Sequence, residues 1–567
     1  MSYIPGGSGS SQWPQLEYRE ACTHVFRRHT DSCRTGNRVP SRQGRGPCCR
    51  WLAAHNIGWS GRDGSESRER VRAAIVSSGF EYPARVYTIN LAPADLSKTG
   101  GRYDLAIAVA MLAATGQISA ELSAYEFVGE LGLEGDIRAI RGVIPAAIAS
   151  TRTHRTLVIP TGNAPEARLM DSERIVAADH LLDIARMMKG EQELAPVRRV
   201  AAPHRAPGDD PSGTLSLDDI HAQQHGKRAL GIAAAGGHNL LMVGPPGSGK
   251  TMLAARLPTL LPPANPEQAI QIAAIQSLSR QPINAGTWGR RPFRNPHHSA
   301  SAAAIVGGGQ SPTPGEVSLA HQGVLFMDEL PEFSRQVLEV LREPLESGNV
   351  IISRARYHVC YPADFQLIAA MNPCPCGYYG DKGDRCQCTD ERVRAYRSKL
   401  SGPLLDRIDM HIYVPRLAFD DIAPRPSDDR LANDAPEDER STDAPAPGTS
   451  ESTSRGAQTR AHVSQANHSH AKIVTAVQRA RDAQLTRQGV LNGRLAGAAI
   501  ADHCALHHRD QSLLKTAMEH LGLSMRGYYK ILKVARTIAD IADSPAIETT
   551  HLTEAISYRR LDRERLL

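Results

Sequence analysis

The chain has 567 residues, of which 41% are hydrophobic, 22% charged and only 5% aromatic, with 66 Lys and Arg against 60 Asp and Glu for a net charge of +6. At roughly 100 to 200 residues per domain, this length allows about three domains and a large buried core, and the balance of residue types excludes fibrous and wholly disordered chains. The small positive excess permits a polyanionic partner without requiring one.

Residues 1–65 are rich in Arg, Ser and Gly, lack Lys, hold Cys22, Cys33, Cys48 and Cys49, and carry no sustained period, so no fold is read for them. Met1 opens no basic-then-apolar leader. The longest apolar stretch, Leu105 to Ala114, is well short of the about 20 residues that span a bilayer, so the expected location is the cytoplasm, with no membrane contact. Residues 66–190 read as a mixed α/β domain. In it Val71, Ala74 and Ile75 share a helical face that stops at Gly79, and RVYTINLAP reads as a strand. A small-residue helix over Leu105 to Ala114, a strand from Glu126 to Leu133, a helix after Pro145 and the strand TLVIP follow. Residues 191–215, with Pro196, Pro203, Pro207 and Pro211, read as a linker.

Residues 216–418 read as a second α/β domain, whose apolar runs HNLLMVG, GVLFMDE and DFQLIAAMN suit buried parallel strands. Residues 419–470 hold hardly any large apolar side chain and cannot offset chain entropy, so a disordered insert is expected. Residues 471–567 read as helical: one helix ends at Gly489, and a later one places Ile531, Leu532, Ala535, Ile538, Ala539 and Ala542 on one face.

The sharpest motif is Gly244, Pro245, Pro246, Gly247, Ser248, Gly249, Lys250 and Thr251, a full G-x-x-x-x-G-K-T between a strand-like and a helix-like run. Gly247 and Gly249 let main-chain N–H groups face phosphates, Lys250 reaches the terminal phosphates of ATP, and Thr251 ligates Mg²⁺. GVLFMDEL then delivers two carboxylates at a strand end: Asp328 for the Mg²⁺ shell and Glu329 to polarise the attacking water. Asn372 closes a third strand and would lie beside them to orient that water, provided the strands are parallel neighbours. In this order the three elements resemble the AAA+ ATPases.

The match narrows with RPFRNPHHSAS, PGEVSLAHQGVLFMDELPEF, EPLESGNVIISRA, NPCPCGYYGD and GPLLDRID, which together resemble the YifB/ComM family of magnesium-chelatase-like AAA+ ATPases from about Glu66 onward. The resemblance implies the fold class: α/β, an AAA+ P-loop core with a C-terminal helical lid and an N-terminal Lon-protease-like (S5-like) domain. It implies Arg407 as a finger offered to a neighbouring subunit, Arg526 as a lid contact to the γ-phosphate, a ring that is a hexamer, and DNA helicase or branch-migration activity in recombination or transformation. Two departures stand out. Before Glu66 the family's opening strands are absent, and the segment resembles out-of-frame or replaced sequence, so the first domain is expected to be incomplete. The 419–470 insert is long for the family.

On the Lon pattern the nucleophile position falls on Arg102 and the general-base position on Ile144, neither of which can activate a hydroxyl, so no proteolysis is expected and the domain reads as a platform for binding or assembly. Cys374, Cys376, Cys386 and Cys388 form C-x-C-x9-C-x-C directly after Asn372; four thiolates suit tetrahedral Zn²⁺, while free reduced thiols remain the other reading. His297 and His298, read as strand neighbours, would point apart. NVIISRARYHV reads as a hairpin arm whose Arg354 and Arg356 either grip DNA backbone or decorate a solvated edge. The reading is thus a Mg²⁺-dependent ATPase ring that moves DNA. Its rivals are a magnesium-chelatase-type motor acting on a partner enzyme and an ATP-regulated scaffold.

Overall fold

Alternation along Thr156–Pro160 builds the first domain, because successive side chains of a strand leave on opposite faces. Leu157 and Ile159 pack with Val143, Ala146 and Ala147 of helix Val143–Thr153, while Val158 packs with Leu105 and Ala108 of helix Asp104–Ala114 and with Val71, Ala74 and Ile75 of helix Arg62–Ser77. The computed structural model describes residues 62–84, 87, 89, 100–118, 122–170, 172–198, 215–279, 288–309, 312–354, 357–380, 385–416 and 454–559. Three parallel strands run in the order Tyr125–Phe127, Thr156–Pro160, Ile175–Ala178. The strand expected from Glu126 to Leu133 breaks in two: its second part, Glu130–Leu131, turns away at Gly129 to pair antiparallel with Ile137–Arg138. A Cβ at Gly129 would lie 2.7 Å from the Ile137 side chain, so the crossing needs glycine. The RVYTINLAP strand falls largely on residues outside those described.

The second domain holds a five-stranded parallel sheet in the order Met410–Tyr413, Leu240–Val243, Gln366–Met371, Val324–Met327, Phe293–Arg294. The three central strands are buried along their whole length, as their unbroken apolar runs require of a sheet covered on both faces. Leu240, Met242, Phe326, Ile368 and Ala370 face helix Gln224–Gly236 and the C-terminal helices, and Leu241, Val243, Leu325, Met327 and Leu367 face the opposite layer.

The described residues then form the α-helices Ser454–Gln488, Ala498–His503, His508–Leu521, Met525–Ile541 and Thr549–Ser557. The first begins inside the stretch read from composition as a disordered insert to residue 470. At His470 the helix is anchored to the ATPase core: its N–H donates to Asp218 Oδ2 at 3.1 Å and its Nδ1 accepts from Leu217 N at 3.4 Å. Of the face read on Met525–Ile541, Ile531, Leu532, Ala535, Ile538 and Ala539 are buried, whereas Ala542 is exposed as the cap residue. Lys530 Nζ bonds Asp409 Oδ1 at 2.8 Å and His238 Nε2 meets Thr537 Oγ1 at 2.7 Å, tying this helix to the start of the core strands. The first domain docks elsewhere. Gly142 N donates to Ser277 O at 2.8 Å, and Ile144 packs on Ala273 and Ala274 of helix Pro266–Leu278. No helix of the described residues is long and apolar enough to cross a membrane.

Candidate active site

Leu240–Val243 delivers the loop from Gly244 to Gly249, and helix Lys250–Leu260 leaves it. Gly247 (φ 74°) and Gly249 (φ 89°) adopt left-handed backbone that turns the loop on itself, and a Cβ at Gly244 would lie 2.2 Å from Val414 O. Lys250 Nζ donates to Gly244 O at 2.8 Å and Pro245 O at 2.9 Å, and reaches Asn372 Oδ1 at 3.3 Å. Burial pulls its pKa below the ordinary lysine value against the pull of Asp328 and Glu329.

Gln366–Met371 lies between the loop strand and Val324–Met327, so Asn372, Lys250 and the acidic pair meet at the C-terminal edge of the sheet. Thr251 Oγ1 donates to Asp328 Oδ2 at 2.8 Å. This places two hard oxygen donors side by side, a set that Mg²⁺ accepts. Glu329 has left-handed backbone (φ 51°), and its N–H is held by Asp328 Oδ1 at 2.9 Å. A non-glycine residue in that region stores strain. The carboxylate's partner is His298, whose Nδ1 lies 3.2 Å from Glu329 Oε2. The reading of His297 and His298 as strand neighbours is corrected: they sit on a turn with ring centroids 4.1 Å apart. The signal for His298 was its place just beyond a strand, Phe293–Arg294, that lines the same sheet edge.

The two arginines lie elsewhere. Arg407 O accepts from Asn239 Nδ2 at 3.1 Å, at the start of Leu240–Val243, so its backbone is about 13 Å of strand away from the loop at the other end. Its guanidinium bonds Arg342 O at 3.0 Å, Pro403 O at 2.6 Å and Glu346 Oε1 at 2.7 Å. Arg526, expected at the γ-phosphate with the lid, instead reaches the same Glu346 Oε1 at 3.6 Å. Among the described residues neither guanidinium has a hydrogen bond or ion pair to the phosphate loop of its own chain. Glu346, which gathers both, escaped the sequence reading because a carboxylate inside EPLESGN has no pattern of its own.

Family models match in three stretches: "Magnesium chelatase, subunit ChlI" over residues 216–422, "Subunit ChlI of Mg-chelatase" over 53–163 and "Magnesium chelatase, subunit ChlI C-terminal" over 467–559. The uncharacterized protein YifB of Salmonella typhimurium is 47% identical over 504 residues, covering 88% of this chain and 90% of the relative. The competence protein ComM of Haemophilus influenzae is 44% identical over 499 residues, again 88% and 90%. The chain belongs to the YifB/ComM family of magnesium-chelatase-like AAA+ proteins. Lon protease 2 of Bacillus subtilis matches in part, 29% identical over 191 residues, 28% of this chain and 33% of the relative.

In this YifB/ComM chain Ile144 is fully buried against the ATPase domain, and Arg102, half-buried, has its guanidinium near Gly142 at the same junction; neither side chain can activate a hydroxyl. The basic hairpin forms from Asn349–Arg354 and Tyr357–Pro362, antiparallel with Ile351 opposite Cys360. Arg356 lies outside the described residues and Arg354 is described in its backbone alone. Cys374, Cys376, Cys386 and Cys388 converge, with all four Sγ atoms within 4.8 Å of one another.

Proposed function

We propose that this YifB/ComM protein hydrolyses ATP with Mg²⁺ in a cytoplasmic ring of identical chains, a hexamer, and uses the cycle to move DNA strands. The observation that carries the reading is the division of the machinery between the two ends of one parallel sheet: phosphate loop, Asp328, Glu329 and Asn372 at one end, Arg407 at the other. Among the described residues neither Arg407 nor Arg526 bonds the loop of its own chain, and a second chain would bring Arg407 to it.

In this reading the main-chain N–H groups of the loop and Lys250 hold the phosphates, Thr251 and Asp328 hold Mg²⁺, and Glu329 with Asn372 sets the water. Thr251 and Asp328 would hold the Mg²⁺, whose charge would offset that of the phosphates. His298 restrains the Glu329 carboxylate, so its release is part of forming the competent site. Arg407 would serve the neighbour and Arg526 would contact the γ-phosphate with the lid, each on leaving Glu346. Arg354 and Arg356 would grip phosphate backbone without sequence preference. The DNA half of the proposal rests on similarity to ComM, a competence protein. A magnesium-chelatase-type motor acting on a partner enzyme is the second reading, favoured by the family model over residues 216–422.

The deciding experiment is the ATPase rate of the purified full chain with and without branched DNA at two salt concentrations. Stimulation that weakens with salt and vanishes in Lys250→Ala supports the DNA motor. Turnover indifferent to DNA removes that half and leaves the ATPase.

A further inference from the structure

The chemistry above leaves the four cysteines after Asn372 without a task, yet their geometry is specific. Cys374 and Cys376 Sγ lie 3.3 Å apart, Cys376 and Cys386 3.5 Å, and Cys374 and Cys386 3.7 Å, with Cys388 in the same cluster. A disulfide needs about 2.0 Å, so none of these pairs is one. Four thiolates at about 2.3 Å from a Zn²⁺ ion stand about 3.8 Å from each other along tetrahedral edges, close to the spacing seen. Four protein ligands leave no open position, which is the mark of a structural rather than a catalytic ion.

The loop these residues close touches the phosphate loop on one side and helix Asp390–Arg397 on the other. Gly377 turns with φ 87°, its N–H on Cys374 O at 3.0 Å, and lies flat on the phosphate loop: a Cβ there would be 2.6 Å from Pro246 Cδ and 3.8 Å from Asn372 Cγ. On the other side Pro373 O accepts from Arg397 Nε at 3.0 Å, and the Arg397 guanidinium sits 5.1 Å over the Tyr379 ring. Between Met371 and helix Asp390–Arg397 the described residues contain no helix or strand, and of the four cysteines only Cys374 is buried. Little apolar burial is therefore available to hold this segment against Pro246.

We propose that Cys374, Cys376, Cys386 and Cys388 bind one Zn²⁺ ion, and that its occupancy presses Gly377 onto Pro246 and keeps Asn372 in register, so that metal content sets ATP turnover. The second clause rests on the nucleotide reading above; the first does not. Metal binding that orders a loop contributes its binding free energy to that loop.

The test begins with metal analysis of the purified full chain, where one zinc per chain is expected and absence of zinc overturns the proposal. Cys376→Ser with Cys386→Ser should lose the metal; retention of stoichiometric zinc by this variant would place the ion elsewhere. Because that variant could unfold, the wild-type chain is also stripped by a thiol-reactive mercurial and a chelator, then reloaded with zinc after the mercurial is removed by excess thiol. Turnover should fall by about a hundredfold on stripping, the cost of moving a catalytic group by about 1 Å, and return on reloading. Stripped protein that hydrolyses ATP at the loaded rate overturns the coupling. Lys250→Ala should keep its zinc while losing hydrolysis. Stoichiometric zinc on a wild-type chain that binds no nucleotide would remove the nucleotide reading and the coupling together, and leave the metal site standing.

Discussion

Lys250 shows what a single side chain does here. It is held by two loop carbonyls and by Asn372 Oδ1, so the ammonium is positioned for phosphate oxygens before any arrive. Lys250→Ala is expected to abolish retention of a labelled nucleotide. Glu329→Gln is expected to retain the nucleotide while slowing phosphate release by about 10² to 10⁴, the range for losing a general base. Normal hydrolysis in Glu329→Gln would reassign the water-polarising role. Two buried histidines give the molecule a pH dependence of its own. Burial pushes His238 and His321 down from 6.5 to about 4, with Lys533 and Lys530 adding at His238 and Arg494 at His321, while Asp409 opposes at His238. His321 Nδ1 accepts from Asp364 N at 3.0 Å, a bond that protonation breaks. Both groups are neutral in the folded chain and bind protons more readily when unfolded, so their contribution is present above pH 6.5 and is lost as pH falls toward 4. Each such site is worth roughly 3 kcal/mol at most. Denaturant titrations at pH 7, 6 and 5 should show stability falling, with a shallower fall in His238→Gln; equal slopes would show that His238 does not titrate on unfolding.

At the scale of elements, the strands of the ATPase core were legible because their apolar runs are unbroken and each ends in chemistry-bearing residues. Their lateral order was not legible, since it depends on which faces the intervening helices cover. Gly244 joins the two levels. Its lack of a side chain lets the loop pass Val414 O, so Gly244→Ala should displace the loop and weaken nucleotide binding while the sheet still folds. A binding titration paired with circular dichroism checks this, and unchanged affinity would show that the loop yields. The junction of the first domain with helix Pro266–Leu278 offers the parallel case. Ile144→Asp would put an unpaired carboxylate into a fully buried contact, at a cost of about 3 kcal/mol or more if it stays there. The expected result is separation of the two domains, seen as a new proteolytic cut in the 199–214 region; an unaltered digestion pattern would mean the contact is dispensable.

For the whole molecule the decisive relation is between Arg407 and the loop at the other end of the same sheet, to which its guanidinium makes no bond among the described residues. Arg407→Ala and Lys250→Ala should each be inactive alone. Mixed, they should regain hydrolysis, because some interfaces then join an intact loop from one chain to an intact arginine from the other. A mixture as inactive as its parts would mean that no arginine crosses between subunits. Glu346 belongs to this scale as well, since its carboxylate binds Arg407 and Arg526, which lie far apart in the sequence, at one point.

From composition and motif alone came the glycine-rich loop, the acidic strand, the strand that ends at Asn372, the cysteine set and most of the apolar face of Met525–Ile541, because each is written in contiguous residues whose spacing matches a helix, a strand or a turn. The family resemblance followed from the same local runs. Packing across distant parts of the chain settled the rest. His298 meets Glu329, and Glu346 meets two arginines far along the chain, because parallel strands and a docked lid bring remote residues to shared edges. Ile144 became the foot of a domain contact, and His470 anchored a helix inside a stretch whose composition argued for disorder. Such contacts leave no periodic trace, since long-range pairing is decided by which surfaces fit once the local elements exist.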